Sequence, residues 1–348
     1  MYRYKFKIFR EIFRTFANYV FINKSENMDI LIQSIILIGG LLLILFGANY
    51  LVDGSSSIAK KFGISEFVIG LTIVGIGTST PEMVVSFLSS LQGKADMAIG
   101  NIVGSNIFNT MLILGVTAII APLTITKSNL KKDIPLNIIV TLLLILLGMN
   151  FTLFGIGTDR LSRIDGIILL GIFAWYLWSS FRSDNQDADE DGEEIVVRSS
   201  LVSTIMIIGG LAALIIGGKL FVNSATSLAQ MFGVSDKFIA ITVMAAGTSM
   251  PELATCVVAA LKGRGQLALG NILGSNISNI LLILGGSALI SPLSFGGMTT
   301  VDLGAVLLCS IFILFSAYCF RKKALDRVEG VILLLMEAAY MWYLISNL

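Results

Sequence analysis

The chain has 348 residues, of which 55% are hydrophobic and only 14% are charged. Ordinary soluble domains carry about 25% charged residues, so the composition excludes a typical cytosolic globule. A net charge of +1 gives no basis for nucleic acid binding. The sequence has no histidine, which removes the commonest general base and the commonest zinc ligand. Three cysteines, Cys256, Cys309 and Cys319, lie in apolar segments without CxxC spacing and are interpreted as buried, inert thiols.

The N-terminal segment, residues 1–28, is a basic tail with six Lys and Arg residues and no small-residue cleavage site of a signal peptide. Two interpretations stay open. The tail is either an amphipathic segment at a membrane surface or upstream sequence before a true start at Met28. We assign no chemistry to it.

Ten apolar stretches follow, each close to the 20 residues that a membrane-crossing helix needs. We place them at 30–51, 66–90, 96–121, 134–151, 164–181, 200–222, 237–261, 266–290, 301–320 and 328–346. Seven acidic residues in 184–194 separate the fifth stretch from the sixth. They lack the residue order of an EF-hand, so we interpret 182–199 as a solvated linker and not as a calcium sensor.

The two halves of the chain, 29–181 and 200–348, repeat each other. With a shift of 170 residues, 20 of the 39 positions in 77–115 are identical in 247–285, without a gap. The shared residues include Gly, Ser, Pro, Glu and Asn, which apolar composition alone does not reproduce, so the pattern indicates an internal duplication. Five spans is an odd number, so the second half must enter the membrane from the opposite side and the repeats are inverted.

The basic residues predict an orientation. Without the tail and Lys219, which falls inside a span, the loops after odd-numbered spans carry 13 Lys and Arg residues and those after even-numbered spans carry four. The positive-inside rule then places the odd loops, including the acidic linker, in the cytoplasm and both termini outside. The basic tail opposes this orientation, which is a second reason to consider a start at Met28.

Glu82 and Glu252 lie inside apolar spans at matched positions of the two repeats. A carboxylate at membrane depth costs about 3 kcal/mol or more when it is unpaired, and neither segment has a Lys or Arg nearby. A structural, protonated glutamic acid is the alternative. Because the duplication carries the acid in both copies, we favour a functional interpretation.

Each glutamate ends the motif Gly-Thr-Ser-x-Pro-Glu, at 77–82 and at 247–252. Proline blocks the helical hydrogen bond to the carbonyl four residues earlier, so each helix is predicted to break here. Freed carbonyls are tolerated at this depth only where they face protein, water or an ion. Carboxylates, hydroxyls and carbonyls without nitrogen or sulfur ligands suit a hard cation such as Ca²⁺ or Na⁺.

A second motif, GNIVGSNIFN at 100–109 and GNILGSNISN at 270–279, follows each glutamate. Its Ser and last Asn are four residues apart, so they share a helix face that can reach the glutamate-bearing helix. Its glycines have the small-xxx-small spacing of close helix contacts; they are Gly100, Gly104, Gly270 and Gly274. The remaining asparagines are either ligands or interhelical hydrogen-bonding groups, and we favour the latter; they are Asn101, Asn106, Asn271 and Asn276.

These paired motifs resemble the alpha repeats of the cation/calcium exchanger superfamily, and within it the prokaryotic sodium/calcium exchangers. The resemblance implies an all-α integral membrane protein with about ten transmembrane helices in two inverted five-helix repeats. It also implies an antiporter, not an enzyme, in which one Ca²⁺ exchanges for about three Na⁺ at four oxygen-lined sites at mid-membrane by alternating access.

The resemblance further implies the ion ligands. They are the Thr, Ser and Glu of the first motif, the Ser and last Asn of the second, and a backbone carbonyl three residues before the Thr. In this chain they are Thr78, Ser79, Glu82, Ser105, Asn109 and Gly75, then Thr248, Ser249, Glu252, Ser275, Asn279 and Ala245. Several relatives carry aspartate at the position of Asn279, so potassium co-transport or proton handling that rests on this acid is not expected here.

The expected partners are Ca²⁺, Na⁺ and the lipid bilayer, with no cofactor, no nucleic acid and no obligate protein partner. The short linker suggests a bacterial inner membrane. A proton/calcium antiporter is the nearest alternative, because either glutamate could release a proton in each cycle. A cation channel is less favoured, because the polar residues cluster at one depth. An enzyme is disfavoured, because no nucleophile, His or Arg cluster accompanies the carboxylates.

We interpret five of the acids that lie outside the motifs. We expect solvated or capping roles for four of them at span ends: Asp133, Asp165, Asp302 and Glu329. Glu337 lies inside the last span and the motifs do not explain it.

Overall fold

The computed structural model describes residues 2–155, 157–182, 195–233, 245–295, 298–319 and 324–346. The side chains of residues 2–27, 245, 246 and 317–319 lie outside the description, as do most of the acidic linker and the start of the predicted seventh span. Most described residues are helical. The helices are α1 (Tyr2–Phe62), α2 (Glu66–Thr78), α3 (Thr80–Leu91), α4 (Ala95–Ile120), α5 (Ile134–Gly148), α6 (Asn150–Phe154), α7 (Arg163–Arg182), α8 (Ser200–Met231), α9 (Ala245–Thr248), α10 (Met250–Leu261), α11 (Gly265–Ile290), α12 (Thr300–Cys319) and α13 (Arg327–Ser346).

A helix or a broken helix pair occupies each of the ten predicted apolar stretches, within the described residues. By length and composition, six helices can cross a membrane, and α2 with α3 makes a seventh if that bent pair counts as one span. The six are residues 28–62 of α1, together with α4, α7, α8, α11 and α13. The helices α10 and the apolar part of α12 are shorter. The chain is therefore a helical protein with several potential membrane spans.

Several helices end at residues that differ from the ends of the predicted spans. Helix α1 runs from Tyr2 to Phe62 without a break at Met28, and α8 continues to Met231, well beyond the predicted end at 222. Helix α5 ends at Gly148, before the predicted 151. Several serines that follow the first predicted span are buried. Ser57, for example, accepts a 2.8 Å hydrogen bond from the Arg198 backbone N–H.

Helices α1 and α8 cross at two glycine pairs. A Cβ on Gly47 would lie 2.8 Å from the Gly210 carbonyl oxygen, and a Cβ on Gly210 would lie 2.8 Å from that of Gly47. Gly40 and Gly217 approach each other in the same way, at 3.0 and 2.9 Å. The 170-residue shift converts one pair into the other, so the contact follows the sequence duplication. Only glycine permits such close backbone packing.

Two short antiparallel strand pairs also join the repeats. Strand β1 (Leu123–Thr124) of the first repeat pairs with β4 (Ala324–Leu325) of the second, and β2 (Arg160–Leu161) pairs with β3 (Leu293–Ser294). The registers are Leu123 with Leu325 and Leu161 with Leu293. Each repeat therefore supplies one strand to each pair.

The acids at helix starts act as caps, as predicted for Asp165, Asp302 and Glu329. The Asp165 carboxylate accepts hydrogen bonds from the Ser162 backbone N–H (2.8 Å) and hydroxyl (2.7 Å), and the Ser162 hydroxyl accepts one from the Asp165 N–H. Asp302 repeats this reciprocal arrangement with Thr299, and Glu329 accepts from the Asp326 N–H. These are capping boxes, which satisfy amide groups left free at a helix N-terminus.

Asp133 and Asp159, which also lie outside the motifs, have different surroundings. Asp133 is buried at the end of the π-helical segment Asn129–Asp133, so a solvated role does not apply to it. Asp159, in the loop before α7, accepts hydrogen bonds from the Thr152 hydroxyl and from the backbone N–H groups of Thr152 and Phe151. The Thr152 contacts hold the pKa of the Asp159 carboxyl below its usual range, because they stabilise its charged form.

Candidate functional site

Both glutamate-bearing helices break at the serine two residues before the proline. Ser79 has φ −78° and ψ 8°, and Ser249 has φ −91° and ψ 7°, so neither continues the helix. At the first break, α2 and α3 meet at an angle of 48°. The prediction from the proline motif is confirmed. Because each new helix starts beside the break, its first turn carries a fully buried glutamate, Glu82 or Glu252.

The Glu82 carboxylate is held by hydroxyl groups of both repeats. Its Oε1 accepts hydrogen bonds from Ser249 Oγ at 3.1 Å and from Ser105 Oγ at 3.3 Å. The Thr248 side chain also lies near this carboxylate. Ser105 belongs to the same repeat as Glu82, whereas Thr248 and Ser249 belong to the other one. The Thr-Ser pair of the second motif copy therefore lies against the glutamate of the first.

Glu252 has the reciprocal environment. Its Oε1 accepts a hydrogen bond from Ser79 Oγ at 3.0 Å, and the side chains of Thr78 and Ser275 lie near its carboxylate. Ser105 and Ser249 lie 3.1 Å apart, oxygen to oxygen, which brings the two halves together at the centre. The site is thus one cluster built by both repeats.

Four buried oxygen atoms of this cluster have no hydrogen-bond partner among the described residues. They are Oε2 of Glu82, Oε2 of Glu252, Oδ1 of Asn109 and Oδ1 of Asn279. An unsatisfied buried acceptor costs about 1–3 kcal/mol, and more when it is charged. Such a cost is removed when a cation is coordinated by these oxygens.

The amide nitrogens of the two asparagines orient those free oxygens. Asn109 Nδ2 donates to Asn276 Oδ1 at 3.2 Å, and Asn279 Nδ2 donates to Asn106 Oδ1 at 2.9 Å. With its nitrogen engaged in this way, each carboxamide keeps its oxygen as a free acceptor. Ser105 Oγ lies 3.5 Å from Asn279 Nδ2, which joins the asparagine to the glutamate cluster.

The other asparagines make interhelical hydrogen bonds, the role that sequence reasoning favoured. Asn106 Nδ2 donates to the Asn276 carbonyl at 3.1 Å, and Asn276 Nδ2 donates to Thr110 Oγ1 at 2.8 Å. Asn101 Nδ2 donates to the Glu82 carbonyl at 3.1 Å. Asn271 connects α11 with α10 through a 3.1 Å contact between its Nδ2 and the Cys256 sulfur.

The two backbone positions of the predicted ligand set are placed differently. The Gly75 carbonyl accepts hydrogen bonds from Ser275 Oγ at 3.1 Å and from Thr78 Oγ1 at 3.4 Å, so it lies beside the cluster. Ala245 is the first residue of α9, and its side chain lies outside the description.

The predicted close approach of the motif glycines occurs for Gly270 and Gly274. A Cβ on Gly270 would overlap the Phe67 carbonyl oxygen, and one on Gly274 would overlap that of Leu71. Helix α11 therefore packs backbone against backbone on α2. Gly100 and Gly104 make no equivalent backbone contact among the described residues, and the segment related to α2 by the repeat, around 237–241, lies outside them.

Sequence reasoning missed the π-helical turns of the site. They cover Gly70–Val74 within α2, Asn109–Ile113 within α4 and Asn279–Leu284 within α11. Two of them begin at the asparagines with free carboxamide oxygens. Single π turns inside α-helices are frequent at functional sites, because the extra residue changes the direction of nearby side chains.

No basic residue neutralises the cluster within the described part of the chain. The two ion pairs found there join Lys262 to Asp53 and Arg264 to Glu66, away from the paired glutamates. Cys256 and Cys309 are buried free thiols, as predicted, while the side chain of Cys319 lies outside the description. The cluster thus offers carboxylate, carboxamide and hydroxyl oxygens, a donor set for hard cations.

Comparison with known proteins identifies relatives of this chain. The sequence profile of the family described as "Sodium/calcium exchanger protein" matches residues 32–182 and 202–346. The putative antiporter CaxA of Alkalimonas amylolytica is 36% identical over 329 residues, covering 91% of this chain and 100% of that protein. The sodium/calcium exchanger MaX1 of Methanosarcina acetivorans is 34% identical over 344 residues, covering 90% and 98%.

A structure of the sodium-calcium exchanger NCX_Mj superimposes with a TM-score of 0.78 at 31% sequence identity, covering 90% of this chain and 99% of that chain. The helical fold with its apolar spans therefore defines a multi-pass membrane transporter. The chain belongs to the sodium/calcium exchanger family. Its relatives are transporters and exchangers, not enzymes, and cation exchange that involves Ca²⁺ is the activity that this membership supports.

Proposed function

We propose that this protein exchanges Ca²⁺ for Na⁺ across a membrane by alternating access, and that the paired glutamates Glu82 and Glu252 bind both kinds of ion. The observation that carries this proposal is the group of four unpartnered, buried oxygens of Glu82, Glu252, Asn109 and Asn279. A membrane-buried cluster of acceptors without a basic partner is stabilised by a cation and destabilised without one.

The proposed ligands fall into two matched sets. The carboxylates and free carboxamide oxygens supply the strongest acceptors, and hydroxyls and one backbone carbonyl per repeat complete the shell. The sets are Thr78, Ser79, Glu82, Ser105, Asn109 and Gly75, and Thr248, Ser249, Glu252, Ser275, Asn279 and Ala245. Ca²⁺ takes six to eight oxygen ligands, which a shell drawn from both repeats can provide.

The charge of the site supports exchange as opposed to simultaneous binding. Two ionised glutamates carry a charge of about −2, so one Ca²⁺ neutralises the site and about three Na⁺ leave it at +1. Both ions use the same carboxylates and therefore compete. An empty site leaves two unpaired carboxylates inside the membrane, which disfavours passage between the outward-facing and inward-facing states and prevents leak.

The proposed architecture is ten transmembrane helices in two inverted repeats, 29–181 and 200–348, with the acidic linker in the cytoplasm. Two features support the inversion: the exchange of glycine pairs between α1 and α8, and the strand pairs that join the repeats. We place the protein in a bacterial inner membrane. Helices α1 and α8 carry no ligand in this scheme and are the elements that would slide over the rest; a crosslink between α1 and α2 that leaves transport intact would contradict this.

The test is uptake of radioactive calcium into vesicles loaded with sodium, for the wild type and for Glu82→Gln. The substitution removes the charge and keeps the shape. Asp96→Asn is the matched control, because Asp96 is an exposed acid in the first turn of α4. We expect uptake that requires the sodium gradient, is lost in Glu82→Gln and is retained in Asp96→Asn.

The same assay decides between the alternatives. Uptake that follows an imposed proton gradient and ignores sodium would replace the proposal with a proton/calcium antiporter. Calcium flux without dependence on either gradient would point to a channel. Sodium-driven uptake that survives in Glu82→Gln would remove the paired glutamates from the ion site.

A further inference from the structure

A cavity of about 490 Å³ lies between α8, α3, α9 and α10, beside the two proline breaks. Its walls are mostly apolar, with Val84, Val85, Ile215 and Val222 among them. The polar groups at its wall come from Thr80, Thr248, Asn223 and Lys219. Lys219 requires an explanation, because it is the one charged side chain among the described residues that line this mostly apolar cavity.

The cavity borders the proposed ion site. Thr248 lines it, and its side chain also lies near the Glu82 carboxylate. Pro251, the next wall residue, directly precedes Glu252. A cation that moves through this cavity toward the glutamates therefore passes along the same wall that carries the Lys219 ammonium group.

Lys219 has no carboxylate partner in the part of the chain that the structure describes, and its side chain is exposed. Its charge is consequently not cancelled by an ion pair. The field of an uncompensated charge reaches far across an apolar cavity, since low-dielectric walls screen it weakly.

The internal duplication shows that the charge is specific to one repeat. The 170-residue shift that superimposes the motifs places Lys219 on Asn49. Asn49 is neutral, and its side chain donates a 2.9 Å hydrogen bond to the Leu45 carbonyl of its own helix. The helix position thus tolerates a neutral amide, and packing alone does not require a lysine.

We propose that Lys219 is a specificity-determining residue that weakens Ca²⁺ binding more than Na⁺ binding from this cavity. The inference rests on the proposed function. A fixed positive potential at the site acts on Ca²⁺ with twice the charge of Na⁺, so its effect on the Ca²⁺ affinity is the square of its effect on the affinity for each Na⁺. Lys219 sets the ratio of the two affinities without contacting either ion.

The test is equilibrium binding of Ca²⁺ and of Na⁺ to the purified full-length protein, by calorimetry, which avoids any dependence on membrane orientation. The variants are Lys219→Asn, which installs the residue of the other repeat, and Lys219→Arg, which keeps the charge. Lys94→Asn is the matched control, because Lys94 is exposed, precedes α4 and does not line the cavity.

We expect Lys219→Asn to tighten binding about threefold for each Na⁺ and about ninefold for Ca²⁺, while Lys219→Arg and Lys94→Asn match the wild type. Raising the concentration of an inert salt such as choline chloride should shrink the difference between wild type and Lys219→Asn, because screening weakens the Lys219 potential. The salt series on the wild type alone tests the same potential if a variant does not fold.

Equal changes for both ions, or unchanged affinities in Lys219→Asn, would overturn the inference, because neither follows from a fixed charge. The result is separable from the proposed function. If the wild type binds neither Ca²⁺ nor Na⁺, the proposed function fails. If the wild type binds both and Lys219→Asn has no effect, only the role of Lys219 fails.

Discussion

The Ser249 hydroxyl donates a 3.1 Å hydrogen bond to Oε1 of Glu82, across 167 residues of sequence. Ser79 makes the equivalent bond to Glu252, at 3.0 Å. Each glutamate is therefore positioned by the motif of the opposite repeat. A cluster assembled this way requires both repeats to pack at their centres, so the fold and the candidate ion site form together.

Removing the cross-repeat hydroxyl should weaken ion binding. A hydrogen bond to a charged group contributes about 1.5–3 kcal/mol, so Ser249→Ala is expected to reduce the Ca²⁺ affinity by about tenfold to a hundredfold. Ser79→Ala should have a similar effect through Glu252. Calorimetric Ca²⁺ titration measures both, and Ser346→Ala, at an exposed position near the end of α13, is the control. Wild-type affinity in both variants would contradict a role for these bonds.

The free carboxamide oxygen of Asn279 distinguishes an ion ligand from a structural asparagine. We expect Asn279→Ala to lower the Ca²⁺ affinity at least tenfold, because it removes an unpartnered acceptor of the cluster. Asn101→Ala removes hydrogen bonds to the Glu82 carbonyl and to Ser86. That variant should lose about 1 kcal/mol of stability and keep most of its affinity. The Ca²⁺ affinity and the thermal unfolding of both variants are measured together. Equal losses of affinity and of stability in Asn279→Ala and Asn101→Ala would contradict the distinction.

Exchange should respond to membrane voltage. One Ca²⁺ entering a vesicle for about three Na⁺ leaving exports one net positive charge, so an inside-positive potential should accelerate uptake. The driving force changes by about 2.3 kcal/mol for each 100 mV. Potassium gradients with valinomycin set the potential in either direction, and initial uptake rates report the response. Uptake that ignores the potential would indicate an electroneutral exchange and a different stoichiometry.

Close packing at Gly274 should not tolerate a side chain. A Cβ there would overlap the Leu71 carbonyl, which belongs to backbone and cannot rotate away. We expect Gly274→Ala to destabilise the protein by about 1–3 kcal/mol and to lower its melting temperature. Gly209→Ala is the matched control, since a Cβ on Gly209 meets no atom within 4 Å. A melting temperature for Gly274→Ala equal to that of Gly209→Ala would show that α11 can move away from α2.

Much of this protein follows from local sequence signals. The apolar stretches predicted the helices, because burying or embedding a helix requires apolar residues along its length. The prolines that follow Ser79 and Ser249 predicted both breaks. Proline has no backbone N–H and therefore removes one hydrogen bond of the helix. The matched motifs identified Glu82 and Glu252 as the residues to examine, since duplication preserved an expensive group twice.

Other features depend on tertiary contacts alone. The sequence motifs place Thr78 and Ser79 near Glu82 along the chain. In the fold, however, the Ser79 hydroxyl donates to Glu252 of the other repeat, and the Thr78 side chain lies near that carboxylate. The extension of α1 to Phe62 and the π turns at Asn109 and Asn279 carry no local signal of comparable strength. Composition, periodicity and proline act through the nearest few residues and so determine the helices and their breaks. Which oxygens surround an ion is decided by the packing of helices far apart in sequence, because hydrogen bonds form only between groups that the whole fold brings within about 3 Å.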